Sequence, residues 1–265
     1  MKNEKYRSEI SGYSEGANIN NIRNEHINKI TIPIPPIDTQ RRIAAILDKA
    51  QSLIAARREQ IAVLDKLIKS QFVEMFGDPV TNPMSWEEKR LGDIVAVKSS
   101  KRVYQREQTM DGVPFLRVSD LVNKIIQGVN TCDLYISEEL YENFLKSELV
   151  PKTGDILVTS RGTLGLCYIV KKSDRFYFQD GMISWLDKNE QYVNSVYLDY
   201  LFQSDGIKQQ IKQMSAGSTV NYLSLVNLGN FKILLPPLDL QTRFADFVRQ
   251  GDKLKFVLNT TFPTR

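Results

Sequence analysis

Residues 16–47 recur without a gap at residues 217–248, an offset of 201 positions, so the chain contains the end of one module, a spacer, and most of a second module of the same kind. The offset sets Gly16 on Gly217, Ile19 on Val220, Asn20 on Asn221 and Ile27 on Leu228. It also superposes Pro35-Pro36-Ile37-Asp38-Thr39-Gln40 on Pro236-Pro237-Leu238-Asp239-Leu240-Gln241. Repeats of roughly 20–50 residues mean solenoids or propellers, whereas so long a period means duplication of a whole domain with its connector. Residues 1–37 are therefore expected to be the tail of a first globular domain that is mostly missing.

The segment 38–77 is expected to be one long helix. The prolines at 35 and 36 disfavour an earlier start, and Asp38 can cap the first amides. Apolar residues then follow a 3-4 spacing through Ile43, Leu47, Ala50, Ile54, Ile61, Leu64, Ile68 and Met75, and Ile46, Leu53 and Leu67 widen the stripe. No glycine or proline interrupts it before Gly77. At 1.5 Å per residue such a helix runs about 55–60 Å, longer than a small domain is wide. A seam of that kind favours pairing with another helix, with Arg57 and Gln71 on it lowering stability while fixing register. The alternative is an amphipathic helix lying on its own domain. The natural pairing partner is the second copy, residues 239–265, through Phe244, Phe247, Val248, Leu254 and Leu258, although Gly251 weakens it and Pro263 lies near its end.

Between the helices, Gly77-Asp78-Pro79 and Asn82-Pro83 mark a linker, 78–85, and a domain runs from Trp86 to Leu238. Strands are expected at 94–97, 113–118, 155–159, 167–170 and 176–178, helices over 195–214, and a closing strand at 231–235. The fold class is α+β, a globular mixed-sheet domain flanked by long coiled-coil-forming helices.

With 265 residues, 42% of them hydrophobic, the chain can bury an ordinary core. It has no apolar run of the length a membrane span needs, and no signal-peptide stretch at Met1-Lys2-Asn3-Glu4-Lys5-Tyr6, so a cytoplasmic location without a membrane partner is expected. Cys132 and Cys167 show no CxxC spacing, and His26 is the single histidine, which suggests neither a zinc site nor a disulfide framework. There is no GxxxxGK[ST] loop, no GxGxxG after a strand and no HExxH helix. Glu87-Glu88-Lys89 has the look of a nuclease carboxylate–lysine pair but sits at a domain entry without an upstream acidic strand end, which favours a surface role. The net charge of +4 does not by itself argue for nucleic acid. Lys98-Ser99-Ser100-Lys101-Arg102-Val103-Tyr104-Gln105-Arg106 does more, with four basic residues and no acid, although a solvated loop is the competing reading.

At this point the chain resembles the specificity (S) subunit of type I restriction–modification enzymes. The resemblance rests on both Pro-Pro-x-x-x-Gln junctions, on Trp86 with Leu91-Gly92-Asp93-Ile94 opening the domain, on Gly154-Asp155-Ile156-Leu157 leading to Ser160-Arg161-Gly162, and on Phe72-Val73-Glu74-Met75-Phe76-Gly77-Asp78-Pro79 closing the helix. It covers nearly the whole chain. In that family two target recognition domains alternate with two long helices, whereas this chain has one of each and looks like a half-length or truncated form.

The resemblance implies a noncatalytic module whose residues 86–238 read one half of a bipartite double-stranded DNA target. It implies docking to methyltransferase subunits that use S-adenosylmethionine and to a restriction subunit driven by ATP with magnesium, with no cofactor on this chain. A homodimer would restore two reading domains and predicts a palindromic split target. A scaffold or defective remnant that binds the methyltransferase without reading DNA is the alternative. Lys98, Lys101, Arg102 and Arg106 are candidates for phosphate contacts, with Ser99 and Ser100 adding hydroxyl donors. Arg117 and Arg161 are candidates for base or groove contacts, Arg161 with Ser160 beside Gly162, where backbone can approach closely. An internal ion pair is the competing role for Arg161. Gln179, in Gln179-Asp180-Gly181, and Ser218, Thr219 and Asn221, in the loop opened by Gly217, can offer polar groups to base edges or serve as turns with capping side chains.

Overall fold

The computed structural model describes residues 25, 28, 33–188, 191–215 and 222–260. Ser218, Thr219 and Asn221 lie outside them, as does nearly half of the first repeat copy. The chain divides into two units at Arg57 and Arg58, inside a single helix α1 that spans Ile37–Phe76.

In the first unit, Pro33–Pro36 is irregular and α1 begins immediately after it. Gln40 folds back to donate from Nε2 to the Pro35 carbonyl at 2.7 Å. Ile43, Leu47, Ala50 and Ile54 are all exposed here.

In the second unit α1 changes character. Ile61 and Leu64 are half-buried, Ile68, Phe72 and Phe76 are buried, and Met75 is half-buried. The helix stops at Gly77, whose φ of +77° suits glycine and whose missing Cβ would stand 2.7 Å from Pro83. The linker is then fixed by Trp86, which donates from Nε1 to the Phe76 carbonyl at 2.9 Å, while Asn82 bonds both the N–H and the carbonyl of Trp86.

Strand β1 (Glu87–Arg90) pairs antiparallel with a strand from the far end of the domain, Lys232–Leu235. Glu88 meets Lys232 at 2.9 Å, and Lys89 pairs with Glu87, so this charged entry strand is a surface ladder. A helical turn α2 (Leu91–Ile94) follows, and strand β2 starts only at Ala96, ending at Ser99. The expected strand at 94–97 is thus displaced, because Leu91 and Ile94, three apart on a turn, both reach the core.

A small mixed sheet comes next, built from β3 (Gln108–Thr109), β4 (Val113–Leu116), β5 (Tyr135–Ile136) and β8 (Tyr177–Phe178), with β4 and β8 parallel. Helices α3 (Val118–Gln127) and α4 (Glu138–Lys146) lie between its strands in sequence. The central sheet has the order β2-β9-β6-β7, with β6 at Ile156–Thr159, β7 at Cys167–Ile169 and β9 at Ile183–Asp187, all antiparallel. β6 is buried on both faces because alternate residues serve two cores. Ile156 and Val158 face a core shared with α1 and the later helices, and Leu157 faces another with Tyr168, Phe178 and Trp185.

Helices α5 (Ser195–Phe202), α6 (Asp205–Ser215) and α7 (Leu225–Gly229) precede the closing strand β10 (Lys232–Leu235). The last helix, α8 (Leu238–Thr260), runs straight through Gly251. Phe72 and Phe76 of α1 meet Phe244 of α8 edge-on, at 5.4 and 5.5 Å between ring centroids, and Phe76 meets Tyr197 of α5 at 4.8 Å. Burying each such ring is worth about 1.5–3 kcal/mol. At the second junction Gln241 is fully buried, donating to the Pro236 carbonyl at 2.8 Å and accepting from the Asn194 N–H at 2.8 Å. The Gln-to-Pro bond is the one Gln40 makes in the first copy.

Candidate nucleic-acid interface

Three connections meet at one end of the central sheet. Ser99, the last residue of β2, lies opposite Ser184 of β9, and Thr159, the last of β6, lies opposite Ile183. The segments that leave these strand ends, 99–106 and 160–165, therefore emerge beside the turn 179–182 that enters β9.

Hydrogen bonds knit them together. Ser160 is buried, with its hydroxyl 2.6 Å from that of Ser184, its N–H on the Met182 carbonyl at 2.9 Å and its carbonyl accepting from Leu223 at 2.9 Å. It is a structural rivet under the rim. The Ser99 hydroxyl accepts from the Gly181 N–H at 3.3 Å. Ser100 is buried, and its hydroxyl has no hydrogen-bond partner among the described residues. The Tyr177 hydroxyl accepts from the Lys101 N–H at 2.8 Å and donates to the Lys101 carbonyl at 3.2 Å. Burial pushes this phenol up to about 12, so it stays neutral and performs both tasks.

The cations differ in how they are held. Lys98 points along the strand, paired with Asp187 and stacked 4.9 Å from the Trp185 ring centroid. Arg117 occupies the N-cap position of α3, its N–H donating to Asp120 at 3.0 Å, and its guanidinium pairs with Asp120 at 3.1 Å and with Asp133. Both are held by carboxylates. Arg102 donates from Nε to Asp180 at 2.8 Å, and Arg106 lies 5.3 Å from the Tyr104 ring centroid.

Lys101, Arg102, Arg106 and Arg161 are exposed, and Gln179 is half-buried with its N–H on the Leu116 carbonyl at 2.9 Å. Arg161 bridges to Tyr222 through its backbone and donates to the Met182 sulfur at 3.7 Å, with no carboxylate within salt-bridge distance among the described residues. The internal ion pair considered for it is absent there. Gly162 and Gly181, with φ of +72° and +67°, flank this patch, and a Cβ on either would meet nothing within 4 Å. The rim thus combines exposed cations, polar side chains and open backbone, the groups that approach phosphates and base edges.

The sequence offers the Gln179 amide and the Asp180 carboxylate as groups for base edges, but not the pairing of Asp180 with Arg102, nor the parts of Tyr177, Met182 and Tyr222. The available signal for Asp180 was its place before Gly181 in a polar turn.

Cys132 and Cys167 are free thiols, both pushed up by burial. Among the described residues no cluster of histidine, cysteine and carboxylates could hold a metal ion, and no helix is long and apolar enough to cross a membrane.

The chain matches the family model described as type I restriction modification DNA specificity domain over residues 3–66 and 83–264. A protein of Haemophilus influenzae assigned as a type I restriction enzyme specificity subunit is 28% identical over 88% of this chain and 58% of its own length. The MjaVIII specificity subunit of Methanocaldococcus jannaschii is 25% identical, covering 92% of this chain and 60% of its own length. Among solved structures, the S subunit from M. genitalium superposes with a TM-score of 0.57 at 17% identity, over 97% of this chain and 66% of that one. The HsdS subunit of Thermoanaerobacter tengcongensis gives 0.52 at 18%, over 96% and 62%. The chain spans about three fifths of the length of the curated relatives it matches. Both Pro-Pro-x-x-x-Gln junctions, the greater part of the long helix and the mixed-sheet domain fall within the matched residues, and the chain belongs to the family of type I restriction–modification DNA specificity domains.

Proposed function

We propose that residues 86–238 read one half of a two-part DNA target, without catalysing any reaction, and that α1 and α8 set the spacing and dock the catalytic subunits. The observation that carries this reading is the turn 179–182 at the end of the central sheet, where Arg102 meets Asp180 and where Arg161, exposed beside Gly162 and uncommitted to a carboxylate among the described residues, meets Met182. Lys101 and Arg106 supply phosphate contacts that fix register and release counterions, while Arg161 and Gln179 address base edges.

Family membership supports partners of the following kind. They are methyltransferase subunits carrying S-adenosylmethionine and a restriction subunit using ATP and magnesium, acting on DNA in the cytoplasm. Two copies related by a two-fold axis would present two reading domains to one duplex, and their target would be a palindrome split by a fixed gap.

A scaffold that binds the methyltransferase without reading DNA is favoured by one observation, that Lys98, Arg102 and Arg117 all sit in intramolecular ion pairs. The triple substitution K101A/R102A/R161A separates the two readings. A DNA reader keeps its methyltransferase subunits on affinity capture and loses retention of duplex DNA. A scaffold loses neither.

A further inference from the structure

Arg102 differs from every other cation on the rim in how it is held. Its Nε donates to Asp180 at 2.8 Å, while its side chain remains 66% exposed and Asp180 only 20%. Neither terminal guanidinium nitrogen has a partner among the described residues. The platform beneath it is fixed at both ends. Lys101, the residue before it, is stapled through both backbone groups to the Tyr177 hydroxyl, and the Asp180 turn is tied down by the Gly181 N–H on the Ser99 hydroxyl. The same turn carries Met182, against which Arg161 lies.

An arginine that serves a phosphate gains from reach and flexibility, because a charge near the backbone suffices. One that reads a base must present two parallel donors at a fixed angle, and a carboxylate on Nε orients the planar fork while leaving both outer nitrogens for the ligand. Guanine, with its N7 and O6 acceptors side by side in the major groove, is the base edge that matches two parallel donors and no acceptor.

We propose that Arg102 reads a guanine through its two outer nitrogens and that Asp180 is the positioning residue that aims it. This deepens the DNA-reading function proposed above and rests on it. It moves Arg102 from the phosphate-contacting set to the specificity-determining set, and it makes the turn 179–182 a buttress for two arginines. Asp180 itself touches Arg102 and not the base.

The test begins with the chain assembled with its methyltransferase subunits, which selects its preferred duplex from a randomised library. Binding is then measured on duplexes altered one position at a time, and on the preferred duplex with 7-deazaguanine, which lacks the N7 acceptor, at each guanine. The wild-type complex is expected to lose roughly 5- to 150-fold at one G·C pair, and a substantial part of that on 7-deazaguanine at the same place. R102A abolishes both losses there and leaves other positions unchanged. R102K does not restore them, because an ammonium lacks the fork. D180A weakens the preference at that position alone, and D180N, which keeps an oxygen to accept from Nε, retains more of it. An R102A that weakens all duplexes evenly, lowering the salt dependence by about one phosphate contact, overturns the proposal. So does an R102A that leaves every position as it was. A wild-type complex that enriches no sequence removes the DNA-reading function itself, which distinguishes that failure from the narrower one.

Discussion

Gly251 of α8 lies against Ile68 of α1, so closely that a Cβ at position 251 would stand 2.8 Å from the Ile68 Cδ1. The glycine that weakens the second helix by propensity is where Ile68 of the first packs against its backbone. Lys255, one turn further on, reaches Asp65 of α1 at 2.7 Å. G251A gains about 1 kcal/mol of helix propensity and forces Ile68, 1% exposed, to shift, so the single substitution is expected to be near neutral. G251L is expected to cost about 1–3 kcal/mol by overpacking. I68V removes the offending methyl, and the pair G251A/I68V should show a favourable coupling of about 0.5 kcal/mol or more in urea denaturation. Strict additivity would mean that the contact is not what limits the helix pair.

Asp199 of α5 is half-buried, with Gln203 as its hydrogen-bond donor at 3.4 Å. Burial raises its carboxyl from 3.8 to about 6, and the charge of Asp252 adds to the rise. Between about pH 4 and 6 the folded protein therefore holds a proton that the unfolded chain has released, and stability falls as pH rises through that window. D199N removes the penalty. It is expected to be more stable than wild type by about 1–3 kcal/mol at pH 7 and equal to it near pH 4. Denaturant midpoints at the two pH values check this, and parallel profiles would contradict it.

The long helix was legible because no glycine or proline interrupts residues 38–76 and only Arg57 and Gln71 break the 3-4 apolar spacing, and β6 because Ile156-Leu157-Val158 is an uninterrupted apolar run. The central strand β9 was not, because Ser184 and Asp187 interrupt its sequence while Ser160 and Lys98 satisfy them in the fold. Helices α3 and α4 were also missed. The Val118, Val122, Ile125 and Ile126 of α3 carry β propensity, and only the Asp120 cap and the Ser137 cap of α4 announce the starts. At the site, composition showed which residues carry charge but not which charges are committed. The partners of Lys98 and Arg102 lie 89 and 78 residues away, and a pairing at that separation is set by sheet register rather than by local sequence.

Arg117 provides a control for that distinction. Its guanidinium meets Asp120, which is 4% exposed, and Asp133. R117A is expected to destabilise the domain by about 1–2 kcal/mol by leaving a buried carboxylate short of its partner, and to leave the DNA preference of the assembled complex unchanged. A position-specific change in preference at wild-type stability would return Arg117 to the reading set.

On α1, Leu47 and Ile54 are 62% and 37% exposed. L47E/I54E is expected to leave unfolding of the domain within about 0.5 kcal/mol of wild type, and to lower capture of the methyltransferase subunits by about tenfold or more through loss of apolar burial. Undiminished capture would place the docking surface elsewhere.

The central claim, that residues 86–238 read half of a split DNA target, is tested most directly by sequencing the duplexes that the complex with methyltransferase subunits selects from a randomised library. The account predicts one short block of fixed bases, repeated in inverted orientation across a constant gap wherever two copies assemble, and its loss in K101A/R102A/R161A. A complex that forms and enriches no block, or one whose block survives the triple substitution, would contradict it.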